Sequence, residues 1–233
     1  RVTLELGGKS PNVVLDDAED LPLIVQGAIR SAFLNSGQTC SALSRLIVPR
    51  QHLPEVERLA VELVERERVG DPTQEETNLG PVVSQTQHER VLDYINQGIK
   101  EGARLVIGGP QKPDSTGHGY FVAPTVFSDV RSGMTIAQEE IFGPVLVVMP
   151  YDSEEEAIEI ANGTPYGLSG GVWSSDRNGA ERVAKRLRTG QIKLNGAAFN
   201  PTAPFGGYKQ SGIGRELGAH GLQEYFETKA LII

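Results

Sequence analysis

Short apolar runs exchange regularly with longer amphipathic ones along this chain, and that alternation constrains its fold more than any other feature. Residues 12–15, 46–49, 104–107, 121–126, 145–151, 169–173 and 190–194 read as strands. Helical patterns fill the intervals at 53–68, 84–101, 153–162 and 176–188. One more helix opens after the acidic run Asp16-Asp17-Ala18-Glu19-Asp20, with Pro22 tolerated near its start. Strand–helix alternation of this kind predicts an α/β fold around a largely parallel sheet. On the first helix Ile24, Gly27, Ala28, Ser31, Ala32 and Asn35 share one face, whose small residues suit close packing. Gly37 is placed to end that helix, leaving Gln38, Thr39 and Cys40 on the following turn. Residues 70–81 and 108–119 read as loops, and the glycine-heavy tract 195–218 is too long for an ordinary connection.

Composition narrows the function classes. A length of 233 residues with 39% hydrophobic content is enough for a sizeable core. The formal net charge of −8 argues against general nucleic-acid binding, which needs a basic face. No apolar run reaches the roughly 18 residues of a spanning helix, so no membrane association is expected. The lone cysteine leaves no internal disulfide and fits a reducing, cytoplasmic setting. No Cys/His pair has ligand spacing, and no metal is expected. The chain opens at Arg1 directly on Val2-Thr3-Leu4, which reads as a buried strand with nothing before it; the expectation is a fragment or a processed chain.

Two stretches carry chemistry. Cys40 sits in Gly37-Gln38-Thr39-Cys40, followed by the small residues Ser41 and Ala42. A thiol attacks only as thiolate, and a turn near backbone N–H groups favours that form and stabilises a developing oxyanion. The plain alternative is a small buried apolar residue. Glu5 lies between two leucines in Val2-Thr3-Leu4-Glu5-Leu6, where a carboxylate is poorly solvated and suited to general-base work near neutral pH. Its alternative is a structural ion pair with Lys9 or Arg1. His52, His88, His118 and His220 read as surface or structural residues.

Together these stretches resemble the aldehyde dehydrogenase superfamily. Leu4-Glu5-Leu6-Gly7-Gly8-Lys9-Ser10-Pro11 is similar to that family's glutamate motif, and Gly37-Gln38-Thr39-Cys40 to its cysteine motif, with 35 residues between base and thiol. Three further blocks match in order: residues 139–145 (EEIFGPV), 162–169 (NGTPYGLS) and 204–216 (PFGGYKQSGIGRE). The resemblance spans essentially the whole chain. It implies a three-layer α/β catalytic domain with a largely parallel sheet. It also implies NAD(P)-dependent oxidation of an aldehyde to a carboxylic acid, with Cys40 as nucleophile and Glu5 as base. Glu140 resembles the residue that hydrogen-bonds the nicotinamide ribose, Phe142 the one that packs beside the ring, and Glu216 an acid of a proton relay. By the same analogy the Cys40 N–H supplies half of an oxyanion hole, and Phe199 one wall of the aldehyde tunnel.

The chain has about half the length the resemblance implies, and it lacks a glycine-rich phosphate turn followed by a ribose-binding acid. It resembles the carboxy-terminal catalytic half. Residues 1–9 then form a remnant of the cofactor domain, 10–207 the catalytic domain, and 208–233 a terminal segment with an oligomerisation strand at 229–233. The resemblance implies weak or absent binding of NAD or NADP by this portion alone, an aldehyde substrate, and a homo-oligomer, a dimer or larger. Two alternatives stand beside it: a cofactor-independent thiol esterase, which releases nitrophenol from a simple ester, and a non-catalytic structural relative, which has no use for the thiol and base.

Overall fold

A computed structural model describes residues 2–113 and 117–233. The main sheet has seven strands: β2 (Pro11–Val14), β3 (Arg45–Pro49), β4 (Arg104–Ile107), β5 (Thr125–Ser128), β6 (Val145–Tyr151), β8 (Gly171–Trp173) and β9 (Lys193–Leu194). They lie in the order β4-β5-β6-β3-β2-β8-β9, and every pairing is parallel except that of the edge strand β4 with β5. Four two-residue strands make two small ribbons: β1 (Leu4–Glu5) with β11 (Gly212–Ile213), and β7 (Tyr166–Gly167) with β10 (Tyr208–Lys209). The helices are α1 (Leu21–Phe33), α2 (Leu53–Val64), α3 (Gln85–Lys100), α4 (Thr135–Gln138), α5 (Glu154–Asn162), α6 (Arg177–Ala184) and α7 (Gly218–Gln223).

Side-chain alternation along the strands divides the interior into two cores. Val14, Leu46, Val48, Leu146 and Val148 point to one face and pack on Ile24, Ala28 and Ile29 of α1 and on Val56 and Leu59 of α2. Val13, Ile47, Val147 and Met149 point to the other, against Val91 and Ile95 of α3, Ile136 of α4, Ala157 of α5 and Val183 of α6. Central strands buried on both faces sit between two helix layers, which is the expected three-layer α/β arrangement.

Helix starts follow their caps. The Asp20 carboxylate accepts from the Leu23 N–H at 3.0 Å, and Pro22 lies in the first turn, where its missing N–H costs nothing. Ser84, Ser153 and Asp176 cap α3, α5 and α6 in the same way. Several helices stop earlier than their periodicity predicts. The first gives way at Leu34 to a 3₁₀ turn through Gly37, where Asn35 and Ser36 take left-handed φ of 54° and 55°. Asn35 therefore leaves the small-residue face, and Gly37 closes the turn and not the helix. The second long helix ends at Val64, and the predicted strand at 121–126 is displaced to Thr125–Ser128.

Both ends differ from expectation. Val2 is 73% exposed and Leu4 39%, so the opening run is no buried strand; among the described residues its strand pairs with the two-residue β11. Residues 229–233 form no strand and leave Leu231, Ile232 and Ile233 exposed. The loop expected at 108–119 has no regular structure where it is described, and 114–116 lie outside the described residues.

Candidate active site

The sequence motifs converge because of the strand order. The glutamate motif leads into β2, the cysteine turn into β3, residues 139–144 into β6, and residues 162–170 into β8. Those four strands are parallel neighbours, in the order β6-β3-β2-β8. Their entry segments therefore emerge side by side along one edge of the sheet. This is the amino edge, whereas ligands in open α/β sheets commonly lie beyond the carboxyl ends.

Cys40 is half-buried on the turn between α1 and β3. That turn is held from several sides. Ser36 Oγ donates to the Gly80 carbonyl at 2.8 Å, Thr39 Oγ1 to the Leu34 carbonyl at 3.0 Å, and the Val83 N–H to Gln38 Oε1 at 2.9 Å. Against it lies the glutamate motif. A Cβ placed on Gly8 would stand 2.6 Å from the Cys40 carbonyl oxygen, so only glycine permits this approach.

Glu5 lies within electrostatic reach of the Cys40 thiol. Its Oε2 is buried with no hydrogen-bond partner, and Oε1 would lie 3.0 Å from a Cβ on Gly206. Burial, and then the nearby Glu216 charge, push its pKa up; Arg215 pulls in the opposite direction. The alternative of a pair with Lys9 is not what the fold makes, since Lys9 faces Glu140, Glu139 and Arg45. A pair with Arg1 lies outside the described residues.

Glu140 completes the cluster. Its Oε1 accepts from the Gly8 N–H at 3.1 Å, and a Cβ on Gly7 would come within 2.1 Å of Oε2. Glycine at position 7 is what leaves room for that carboxylate. Burial raises the Glu140 pKa, while the Gly8 N–H and the Lys9 and Arg90 charges lower it. The Cys40 thiol is also pushed up, first by burial; the Ser41 N–H opposes this, and the Glu140 and Glu5 charges add to it. Two carboxylates thus act on one thiol, and no histidine is among the groups shifting Cys40 or Glu5.

Beneath the cluster Lys9 is 2% exposed, and burial brings its pKa down to about 7. Arg45, also buried, donates to the carbonyls of Lys9 at 2.8 Å and of Ile160 and Ala161 at 2.7 Å. It closes the carboxyl end of α5 and pins the motif's backbone at once. Among the described residues, no three His, Cys, Asp or Glu side chains are grouped to hold a metal ion, and no helix is long and apolar enough to cross a membrane.

Phe142 lies beside Glu140 with a left-handed φ of 58°. Glu216 is exposed; its backbone exchanges hydrogen bonds with Phe205 at 2.7 and 2.6 Å. Phe199, half-exposed, meets Phe205 edge to face at 6.4 Å. Sequence reasoning did not single out Phe205 as the partner of Phe199, although it stands in a matching block next to Gly206. It also passed over Gln87 and Arg90 of α3, which lie in none of the matching blocks.

The profile of the aldehyde dehydrogenase family matches residues 1–231. The chain is 55% identical over 232 residues to a 3-succinoylsemialdehyde-pyridine dehydrogenase of a Pseudomonas species, covering 100% of this chain and 48% of that protein. It superimposes with a TM-score of 0.97 on a mutant of aldehyde dehydrogenase C from Pseudomonas syringae in complex with NAD+ and octanal, at 53% identity over 99% of this chain and 47% of that one. An NAD+ complex of a Bacillus cereus aldehyde dehydrogenase gives a TM-score of 0.92 at 50% identity, covering 97% of this chain and 46% of that one. The parallel α/β fold and these matches together make its kinship plain: the chain belongs to the aldehyde dehydrogenase family. It spans about half the length of the relatives it matches.

Proposed function

We propose that this chain carries the catalytic half of an NAD(P)-dependent aldehyde dehydrogenase, oxidising an aldehyde to a carboxylic acid through a thiohemiacetal and then a thioester on Cys40. The observation that carries this reading is that Glu5, whose Oε2 is buried without a partner of its own, lies near enough for its charge to act on the Cys40 thiol. An unpaired, buried carboxylate oxygen within electrostatic reach of a thiol is costly as architecture and useful in a base.

In this reading the Cys40 sulfur adds to the aldehyde carbonyl carbon while its proton passes to Glu5, and the Cys40 N–H steadies the oxyanion. Glu140, whose carboxylate takes the room that Gly7 leaves, and Phe142 would hold the nicotinamide end of the dinucleotide. When bound, that cofactor supplies the two-electron acceptor for the oxidation. Glu5, having released that first proton to solvent, then takes a proton from the water that attacks the thioester; as the carbon–sulfur bond breaks it hands this proton to the sulfur, the acid departs and the thiol is restored. The NAD+ complexes of its relatives support NAD as the dinucleotide.

Residues 1–9 serve as the end of a cofactor unit, 10–207 as the catalytic unit and 208–233 as a terminal segment. Its apolar residues 231–233 pair with a neighbouring subunit in a cytoplasmic homo-oligomer, and light scattering giving the mass of one chain overturns that assembly. Alone, the chain binds dinucleotide weakly and turns over slowly. Calorimetry with NAD and NADP, together with an aldehyde-dependent rise in NADH absorbance, tests this. Micromolar binding with full turnover by the chain alone overturns the weak-binding part. If Cys40→Ala leaves a measured turnover unchanged, the mechanism is overturned.

A further inference from the structure

Residues 139–143 pass between the cysteine turn and α3 in a conformation that an isolated chain would seldom choose. Phe142, an aromatic residue, holds a left-handed φ of 58°. The segment is gripped on both sides. A Cβ on Gly37 would stand 2.0 Å from the Gly143 carbonyl carbon, and one on Gly143 would stand 2.5 Å from Val91 Cγ2. Any relaxation of the Phe142 backbone therefore moves the cysteine turn, the helix or both.

Two side chains of α3 take up three consecutive carbonyls of this segment. Gln87 Nε2 donates to Ile141 at 3.1 Å and to Phe142 at 2.8 Å, and Arg90 Nη2 donates to Glu140 at 2.9 Å. One turn further on, the Arg90 guanidinium lies 5.0 Å from the Tyr94 ring centroid, and the Tyr94 hydroxyl donates to Glu139 Oε2 at 2.7 Å. Gln87 is itself fixed in the first turn of α3, where its N–H donates to Ser84 Oγ at 3.2 Å. An amide NH₂ carries two donors and spans both carbonyls, which a thioether of the same length cannot do.

We infer that Gln87 is a positioning residue: it locks the Phe142 backbone in its left-handed conformation and thereby sets where the Glu140 carboxylate and the Phe142 ring stand relative to Cys40. The inference rests on the reading of Glu140 and Phe142 as the nicotinamide grip. It predicts that a shape-matched side chain without donors loosens the grip.

The test uses the 233-residue chain and nicotinamide mononucleotide, which carries only the end of the cofactor that Glu140 and Phe142 hold. Cys40 is alkylated with iodoacetamide over a millimolar range of the mononucleotide, in wild type, Gln87→Met and Gln87→Lys. Hydrogen exchange is read at the Glu139 and Val145 amides, which donate to the Thr135 and Gly143 carbonyls at the two ends of the segment. The expected result has two parts. In Gln87→Met the half-protecting concentration rises about five-fold or more and exchange at the two amides quickens. Each variant's rate without ligand, which moves with the Cys40 thiol, serves as the reference for its own protection. Gln87→Lys, which regains a donor, restores much of the protection. Wild-type protection and exchange in Gln87→Met overturn the inference, and so does loss of protection in Gln87→Met that Gln87→Lys fails to restore. If the mononucleotide protects no variant, the reading of the nicotinamide grip is what fails; exchange then judges the backbone lock, faster in Gln87→Met supporting it and unchanged refuting it.

Discussion

The Gly8 N–H donates to Glu140 Oε1 across 3.1 Å, although 132 residues separate the two in the chain. This bond joins the segment that carries the base to the segment that carries the proposed cofactor contacts. The peptide next to it presses on the Cys40 carbonyl, so one short stretch of backbone touches all three functional segments.

Thiol reactivity reports that junction. Burial raises the Cys40 pKa, the Ser41 N–H opposes the rise, and the Glu140 and Glu5 charges add to it. The pH midpoint of iodoacetamide alkylation therefore lies above the value of a free thiol, about 8.5. Removing either negative charge lowers the midpoint, and Glu140→Gln lowers it more than Glu5→Gln. A midpoint unmoved in Glu140→Gln separates that carboxylate from the sulfur.

Glu5 trades stability for function. With its folded pKa raised, its ionised form is a net cost near neutral pH, and that cost falls away as pH drops through the folded value toward the unfolded one, about 4.3. Glu5→Gln therefore stabilises the protein at pH 7, by less than about 1 kcal/mol because the group is partly solvated. The same variant slows hydrolysis of a Cys40 thioester by about 100-fold or more. Urea titration and single-turnover deacylation measure the two effects separately, and a drop in the urea midpoint contradicts the first.

Lys9 gives the fold a pH signature of its own. Its folded pKa is depressed to about 7, against about 10.4 unfolded. Between those values the unfolded chain binds more protons, so this lysine's contribution to stability rises with pH from about 7 to 10. The raised Cys40 thiol works the other way above about 8.5, which makes the comparison with Lys9→Met the useful one. The variant is expected to lack the rise, and parallel pH curves for the two proteins refute it.

Gly8→Ala forces a Cβ to within 2.6 Å of a backbone oxygen that cannot swing aside. The expected loss of stability is about 1–3 kcal/mol by urea denaturation, with altered alkylation of Cys40. Wild-type behaviour in both measurements means that the two motifs stand further apart than described.

Much of the site was legible in the sequence, because Glu5, Cys40, Glu140 and Phe142 all lie in ordered blocks quoted from the chain alone. Their meeting was not. It depends on β6, β3, β2 and β8 being neighbours, and strand order is set by packing across two cores that no local window contains. The halt of α1 at Phe33 was also hidden, since Asn35 and Ser36 in left-handed conformations are selected by contacts such as that of Ser36 with Gly80. Gln87 was passed over for a related reason: on an amphipathic helix, a side chain that straps a distant loop and one that faces water look alike. Periodicity also misjudged both ends of the chain: the apolar residues Val2 and Leu231 to Ile233 read as strand but are exposed.

Among the described residues the strand that carries Glu5 pairs with β11, and the next N–H along, that of Leu6, donates to the Ser211 carbonyl at 3.0 Å. Some two hundred residues separate the two strands of this ribbon. Ribosomal synthesis therefore releases Cys40 long before the segment that docks Glu5, and the carboxylate reaches its folded place only after most of the intervening stretch has emerged.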